Sequence, residues 1–156
     1  MSRATKSIPE GLGSVTAQLS LEGAAAAIEL YKQAFGAVEH SRATDPSGKK
    51  VWHAQVSIGG TGLFINDTFP EMGAGAPVTG AFWLYGDDVD ARWERAVAAG
   101  LQVIMPIMDQ FWGDRTGTLV DRFGVRWTLG QRLHDLTPEQ LKKNEADFVA
   151  KMQQQK

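Results

Sequence analysis

The chain has 156 residues, which is enough for one domain with a buried core, and 43% of them are hydrophobic, as in ordinary globular proteins. Its net charge of −2, without a basic patch, argues against a nucleic-acid partner. The complete absence of cysteine excludes disulfides, thiolate zinc sites and a cysteine nucleophile.

The N-terminal residues 1–13 are polar and punctuated by Gly and Pro, so we predict a loose arm. This stretch lacks the apolar core of a signal peptide, and no apolar run in the chain has the length of a membrane span. We therefore expect a cytoplasmic protein with no membrane partner.

The next part of the chain contains an internal repeat of one pattern of predicted elements, and its first copy covers about residues 14–67. Residues 15–21 alternate apolar and polar side chains, which is typical of a strand with one apolar face. Residues 24–35 repeat apolar side chains every three or four positions, which predicts a helix, and Gly36 suits its left-handed cap. Three strand-like runs, broken by Gly, complete a βαβββ pattern.

The second copy covers about residues 80–131 and repeats the same pattern. Residues 81–85 predict a strand and residues 89–99 predict a helix that is followed by Gly100. The intervening residues 68–79 are rich in Gly and Pro, which is typical of a linker.

A C-terminal helix is predicted within residues 137–156, because Thr137 and Pro138 are typical of a helix start. Its apolar side chains include Phe148 and Met152. They would suit docking either on the body of the protein or on a second subunit.

A βαβββ unit of this size cannot bury its sheet face alone, so the two copies must pack together. We therefore predict an α+β fold with one domain over residues 1–136, followed by a C-terminal helix and tail. A sheet built from two such halves curls around a cleft, where we expect the functional site. The modules could pack within one chain or be exchanged between subunits, and the sequence leaves both arrangements open.

The strand alternation predicts a polar sheet face that lines this cleft and an apolar face that packs on the helices. The apolar face would include Val15, Trp52 and Trp127. Aromatic side chains would stand beside hydrogen-bonding groups in the cleft, as they do in small-molecule sites. The alternative is a polar face that simply meets solvent. The residues assigned to the polar face are Thr16, Gln18, His53, Gln55, Asn66, Trp83, Tyr85, Arg126 and Thr128.

Three residues could carry chemistry or bind a charged group. His53 is the best catalytic candidate, because an imidazole can act as acid, base or hydrogen-bond donor near neutral pH. Its alternative role is that of a strand histidine satisfied by a neighbour. Trp112 could wall a pocket, and Arg115 could grip a carboxylate or phosphate of a ligand. The alternative for Arg115 is an internal ion pair with Asp114 or Asp121, so the charge of the ligand stays open.

Several local motifs resemble the vicinal oxygen chelate superfamily, the fold of glyoxalases, bleomycin-resistance proteins and dioxygenases, and in particular its PhnB-like branch. Two departures lie in the turn Asp121-Arg-Phe-Gly-Val125, where Arg122 and Val125 stand in place of the Pro and the His of the Asp-Pro-Phe-Gly-His expected in that branch. The motifs are Gly23-Ala-Ala-Ala-Ala-Ile28 with Tyr31-Lys-Gln-Ala-Phe-Gly36, then Asn66-Asp67 with Phe69-Pro-Glu-Met-Gly73, and finally Asp109-Gln-Phe-Trp-Gly-Asp-Arg115.

The resemblance implies a curved, barrel-like mixed sheet with helices on its convex side. It also implies a homodimer, because family members commonly complete their clefts across two subunits. Metal-using members carry four His, Glu or Gln ligands on the first and last strand of each module. The equivalent positions are Thr16 (or Gln18 if the count slips by one residue), Phe64 or Asn66, Ala81 and Thr128.

These side chains are poor ligands for a divalent metal, so we expect no metal and no other cofactor. The resemblance then implies a protein that binds a small organic molecule without the catalytic metal of the family. The alternatives are a metal-dependent lyase or dioxygenase, or a metal-free enzyme that uses His53 as acid or base.

Overall fold

The computed structural model describes residues 4–73 and 75–154. The predicted arm, linker and tail each include positions outside these ranges, namely residues 1–3, residue 74 and residues 155–156. The described part contains eight strands and three α-helices in the predicted order, so the α+β fold class is confirmed.

The first module is a four-stranded mixed sheet with one helix on its apolar face. Strand β1 is parallel to β4, and the other neighbours are antiparallel, in the order β1-β4-β3-β2. The elements are β1 (Ala17–Leu21), α1 (Ala24–Phe35), β2 (Val38–Thr44), β3 (Val51–Ile58) and β4 (Thr61–Asp67).

The second module repeats this topology, with the strand order β5-β8-β7-β6 and a parallel β5–β8 pair. The two modules therefore form two four-stranded sheets, and each module contributes one of them. The elements are β5 (Ala81–Tyr85), α2 (Val89–Ala98), β6 (Gln102–Asp109), β7 (Asp114–Val120) and β8 (Arg126–Arg132), and the chain continues into α3 (Pro138–Gln154).

The repeat extends to the way in which each helix begins. At the end of β4, the buried carboxylate of Asp67 accepts hydrogen bonds from the backbone of Gly23 and Ala24, both at 2.9 Å, at the start of α1. At the end of β8, the side chain of Gln131 accepts a 3.0 Å bond from the backbone of Val89 at the start of α2. Each last strand thus satisfies free N–H groups of its own module's helix.

The two modules pack against each other within the chain and share one core. The buried ring of Tyr31 on α1 lies against Trp127 on β8, and its hydroxyl donates a 2.8 Å hydrogen bond to Asp121. The guanidinium of Arg95 on α2 also donates to the backbone oxygens of Lys32 and Gln33 at the end of α1. Helix-to-helix contact, the buried Tyr31–Asp121 bond and the exposed bonds of Arg95 hold the modules together.

Two residues predicted on the apolar face lie elsewhere. Val15 precedes β1, which begins at Ala17, and its side chain is 92% exposed. Trp52 is 49% exposed, and Val51 is buried instead. The register between β2 and β3 is irregular at this end of the sheet, and such an irregularity changes which side chain reaches the core.

Residues 68–79 and the start of the C-terminal helix each form specific local hydrogen bonds. Residues 68–79 contain a 3₁₀ turn at Pro70–Met72, and Val78 pairs with Ser20 through two backbone hydrogen bonds. At the start of α3, the Thr137 hydroxyl accepts from the Gln140 backbone while the Gln140 side chain accepts from the Thr137 backbone. This reciprocal pair is a capping box.

No helix in the described residues combines the length and apolar character needed to cross a membrane.

Candidate functional site

The open face of the first sheet, opposite α1, carries a polar network centred on Asn66. Its amide oxygen accepts hydrogen bonds from the Gln18 amide at 2.8 Å and from the Ser20 hydroxyl at 3.3 Å. Strand pairing explains the proximity, because Ser20 on β1 lies directly beside Asn66 on β4. The network leaves one amide donor of Asn66 for the backbone oxygen of Asp67.

His53 lies on the same face, with its ring centre 4.5 Å from that of Phe64. Its side chain is exposed, and within residues 4–73 and 75–154 no hydrogen bond to its ring nitrogens is found. The neighbouring Gln55 donates to the backbone oxygen of Glu10, so the N-terminal arm reaches this face. His53 therefore packs on a ring while both of its nitrogens stay available.

The open face of the second sheet has an aromatic border on β5. The rings of Trp83 and Tyr85 are stacked with centres 5.9 Å apart, and about half of each side chain is exposed. Beside them, the hydroxyls of Thr128 and Thr118 form a buried 3.0 Å hydrogen bond. This face thus combines an exposed aromatic surface with a floor of small polar side chains.

Tyr85 is held by two features that lie far from it in sequence. Its hydroxyl donates a 2.7 Å hydrogen bond to Asp114 at the start of β7. Its ring lies over Gly130 on β8, where an added Cβ would come within 3.0 Å of the ring. Partial burial, followed by the hydrogen bond to Asp114, raises the pKa of Tyr85 above its usual value. The phenol therefore stays protonated near neutral pH.

A cavity of about 540 Å³ lies at the junction of the two modules. It is mainly apolar, and its walls come from the region before and within β1, from the β3–β4 turn and from β5. Its aromatic walls are Phe82, Trp83, Tyr85 and Trp127. A space of this size and composition is typical of sites for small organic molecules.

The structure brings the predicted site residues together in two groups. Trp83 and Tyr85 line the cavity, and Thr128 lies beside Trp83 in the paired strands. The first sheet holds Gln18, His53, Gln55 and Asn66 on its own open face.

Four other predicted residues lie outside these two groups. Thr16 precedes β1 and binds the backbone oxygen of Gly13, while Arg126 is exposed at the start of β8. Trp112 lies in the β6–β7 turn with its ring 5.1 Å from that of Phe111. Neither Trp112 nor Arg115 is part of the cavity wall.

Arg115 does form an internal ion pair, but the predicted partners Asp114 and Asp121 are wrong. Its guanidinium binds Asp90 on α2 at 2.9 Å and Asp109 on β6 at 2.7 Å. These bonds raise the pKa of Arg115 above its usual value. The error has a geometric cause, because neighbouring residues on a strand point to opposite faces, and Asp114 therefore faces Tyr85 instead.

Sequence reasoning missed Asp114 and Gly130 as parts of the aromatic site. A carboxylate next to an arginine in sequence looks like its ion-pair partner, and a glycine within a strand looks like a simple irregularity. A strand glycine opposite an aromatic residue does indicate close approach of a ring. That signal appears only when the pairing of β5 with β8 is known.

The donor set on the open faces does not fit the divalent metal of the vicinal oxygen chelate fold. Within the described residues no group of three or more His, Asp or Glu side chains is placed to hold a metal ion. The inward positions of the four relevant strands carry amides, hydroxyls or hydrocarbon groups, which are weak ligands for zinc or iron. The side chains at these positions are Gln18 and Ser20 on β1, Phe64 and Asn66 on β4, Ala81 and Trp83 on β5, and Thr128 on β8.

Comparison with known protein sequences finds a family and relatives that match most of this chain. A family model described as the Glyoxalase/Bleomycin resistance protein/Dioxygenase superfamily matches residues 15–129. An uncharacterized protein of Mycobacterium tuberculosis is 38% identical over 133 residues, which is 79% of this chain and 76% of that protein.

Solved structures share the fold at lower identity. TioX from Micromonospora sp. ML1 is 22% identical with a TM-score of 0.62, covering 80% of this chain and 100% of that chain. A Bacillus cereus protein described as a putative 3-demethylubiquinone-9 3-methyltransferase, PhnB protein, is 19% identical with a TM-score of 0.55, covering 76% of this chain and 99% of that chain.

Proposed function

The chain belongs to the Glyoxalase/Bleomycin resistance protein/Dioxygenase superfamily, and on that premise we propose that it binds a small organic molecule at the junction of its two modules. The observation that carries this proposal is the apolar cavity of about 540 Å³ whose wall includes Trp83 and Tyr85. A large exposed aromatic pair beside a concave space is more costly to leave in water than to cover with a ligand. The likeness to a PhnB protein supports placement in the PhnB-like branch.

Ligand binding is tested by quenching of tryptophan fluorescence across a library of small aromatic and heterocyclic compounds. We expect at least one compound to bind. Trp83→Ala should weaken the affinity for that compound about tenfold or more, because the Trp83 ring would contact the compound directly. Trp52→Ala is the matched control, because Trp52 is similarly exposed but lies outside the cavity wall. Equal effects of both substitutions, or a library without any binder, would overturn the proposal.

We further propose that this protein works without a catalytic metal. The support is the chemistry of the side chains on β1, β4, β5 and β8, which offer neither a carboxylate nor an imidazole at the inward positions. Elemental analysis after incubation with Ni²⁺, Zn²⁺, Mn²⁺ or Fe²⁺ and desalting should show far less than one metal per chain. Near-stoichiometric metal would favour a metal-dependent lyase or dioxygenase instead.

A metal-free enzyme is the second candidate, and the availability of both His53 ring nitrogens favours it. If His53 acts as acid or base on a ligand that reaches the open face of the first sheet, His53→Ala should abolish conversion of that ligand while binding in the cavity persists. His40→Ala is the matched control, since His40 is engaged with the Ser57 hydroxyl at 2.8 Å. Binding without conversion in the unaltered protein would contradict the enzyme and leave small-molecule binding as the function.

We propose a homodimer, in which a second copy covers two exposed apolar surfaces. The edge strand β6 exposes Val103, Ile104, Met105 and Met108, and α3 exposes Leu141, Phe148, Val149 and Met152, each to between 39% and 54%. If each side chain has roughly 150 Å², these eight present on the order of 600 Å² per protomer, which approaches the roughly 800 Å² per partner of a stable interface. A two-fold axis would bury both surfaces on both copies.

The dimer is tested by sedimentation equilibrium of the purified protein. Met105→Glu and Phe148→Glu should each shift the protein toward monomer, because each places a charge in the interface. Met72→Glu is the control, since Met72 is exposed in the linker, away from both surfaces. A monomeric unaltered protein would contradict the proposal.

We also propose a cytoplasmic location, because the lack of cysteine suits a reducing compartment, and cell fractionation would test this location.

A further inference from the structure

Asp114 is a buried carboxylate in which only one of the two oxygens accepts a hydrogen bond from a described residue. The residue is 2% exposed, and its Oδ2 accepts a 2.7 Å hydrogen bond from the Tyr85 hydroxyl. Its Oδ1 is fully covered and, among residues 4–73 and 75–154, has no hydrogen-bond partner. The closest cation is the exposed Arg132, whose Nε lies 3.5 Å away without hydrogen-bond geometry. A buried, half-satisfied carboxylate is costly and calls for an explanation.

The surroundings of Asp114 carry an excess of negative charge. Arg132 lies within ion-pair distance of both Asp114 and Asp135, so its one positive charge does not neutralise the two carboxylates. A separate group, in which Arg115 binds Asp90 and Asp109, also has one more carboxylate than cations. Because Asp114 is shielded from water, its field is screened less than that of an exposed carboxylate.

Tyr85 and Trp83 bring this negative character to the end of the open face away from Arg126, which pairs with Ala81 at the other end of β5. The Tyr85 hydroxyl donates its hydrogen bond to Asp114, so the lone pairs of its oxygen remain free to accept a hydrogen bond from a ligand. The stacked faces of Trp83 and Tyr85 add the negative potential of two π systems. Gly130 makes this geometry attainable, because a side chain there would occupy the place of the Tyr85 ring.

We propose that the aromatic site takes an organic cation, namely a protonated amine attached to an apolar or aromatic group, on Trp83 and Tyr85 above Asp114. The ammonium N–H donates to the Tyr85 oxygen, and the charge lies over the aromatic faces. The apolar part of the ligand occupies the cavity between the modules. Asp114 acts through its charge and through Tyr85, since its own oxygens are covered. This inference rests on the proposed small-molecule function and specifies the class of ligand.

The test uses three probes of similar size and different charge: 2-phenylethylammonium, 2-phenylethanol and 3-phenylpropanoate. Their dissociation constants are measured at low salt by calorimetry and by the Trp83 indole signal in NMR spectra. We expect the ammonium to bind about tenfold more tightly than the alcohol, and the carboxylate to bind most weakly. Raising the salt concentration should reduce the preference only in part, because the carboxylate is buried.

Asp114→Asn then removes the charge but keeps an acceptor for Tyr85. It should abolish most of the preference for the ammonium while leaving the affinity for the alcohol within about twofold. Asp135→Asn is the matched control, since it removes an exposed carboxylate that shares Arg132 with Asp114 and should preserve the preference. If Asp114→Asn does not fold, Trp83→Leu serves instead, and it should reduce ammonium binding more than alcohol binding.

The outcomes separate this inference from the function on which it rests. Equal or tighter binding of the alcohol or the carboxylate would overturn the cation site and leave small-molecule binding intact. Failure of all three probes, while library compounds still bind at Trp83, would also overturn the cation site alone. Failure of the probes together with an unproductive library screen would overturn both proposals.

Discussion

Asp121 joins the two modules, and its removal should be among the most damaging single changes in this protein. Its buried carboxylate accepts four hydrogen bonds from both modules and from its own turn. The donors are the Tyr31 hydroxyl at 2.8 Å, the Trp127 indole at 3.1 Å and the backbone N–H groups of Phe123 at 2.9 Å and Val125 at 3.0 Å. Asp121→Ala would leave at least three of these donors buried and unpaired.

An unpaired buried donor costs about 1–3 kcal/mol, and partial relaxation or entry of water offsets some of it. We therefore expect Asp121→Ala to lower the free energy of unfolding by about 3–5 kcal/mol, a large part of the roughly 5–15 kcal/mol typical of a domain. The measurement is urea denaturation followed by circular dichroism and tryptophan fluorescence. Asp135→Ala is the control, because Asp135 is almost fully exposed, and its loss should cost less than about 0.5 kcal/mol.

A double-mutant cycle tests the physical reasoning more sharply than the size of the loss. In the unaltered protein, Tyr31→Phe removes one hydrogen bond and should cost about 1–2 kcal/mol. In the Asp121→Ala background the same change removes an orphaned hydroxyl, so it should cost nothing or even stabilise. Additive effects of the two substitutions would refute the view that Asp121 stabilises the protein by satisfying Tyr31.

Three further predictions follow from other contacts. Burial and the neighbouring Asp121 raise the pKa of Tyr31 above its ordinary value of 10.0, so the folded state keeps a proton that the unfolded chain loses. The stability that the protonated Tyr31 phenol contributes is complete below about pH 10 and falls by up to about 1.4 kcal/mol per pH unit above it. The urea midpoint should therefore fall less steeply between about pH 9 and 11 for Tyr31→Phe than for the unaltered protein. Equal pH slopes of the two midpoints would contradict this prediction. Asp67→Ala removes the acceptor for the backbone of Gly23, Ala24 and Val51, so urea denaturation should show a loss of about 2–4 kcal/mol, and a loss under about 1 kcal/mol would be inconsistent with it. Gly130→Ala would press on the Tyr85 ring and should cost about 1–3 kcal/mol while altering the near-UV circular dichroism; an unchanged aromatic spectrum would show that the ring has room.

The secondary structure was predictable because its signals are local. The helix predicted over residues 24–35 is present as α1, and Gly36 has the left-handed conformation expected of its cap, with φ of 67°. The helix start at Thr137 and Pro138 is also confirmed. Where local signals failed, as at Trp52, the cause was a non-local one, namely an irregular register with a neighbouring strand.

The candidate site was only partly predictable, for a related reason. Alternation correctly assigned Trp83, Tyr85 and Thr128 to one face, since side-chain direction follows from position along a strand. It could not tell that Thr16 lies outside β1, because strand ends depend on where pairing with β4 begins. Nor could it separate Trp112 in its turn from the cavity.

The sequence by itself determined the repeated βαβββ order, the starts of the helices and most of the polar and apolar faces, because periodicity, glycine conformation and capping act over a few residues. Only the tertiary structure decided which charged and polar groups meet. Tyr31 and Asp121 are 90 positions apart, and Tyr85 and Asp114 are 29 apart. A carboxylate accepts from any donor that comes near, so its partner is chosen by how the strands pair and how the modules pack, which no short stretch of residues records.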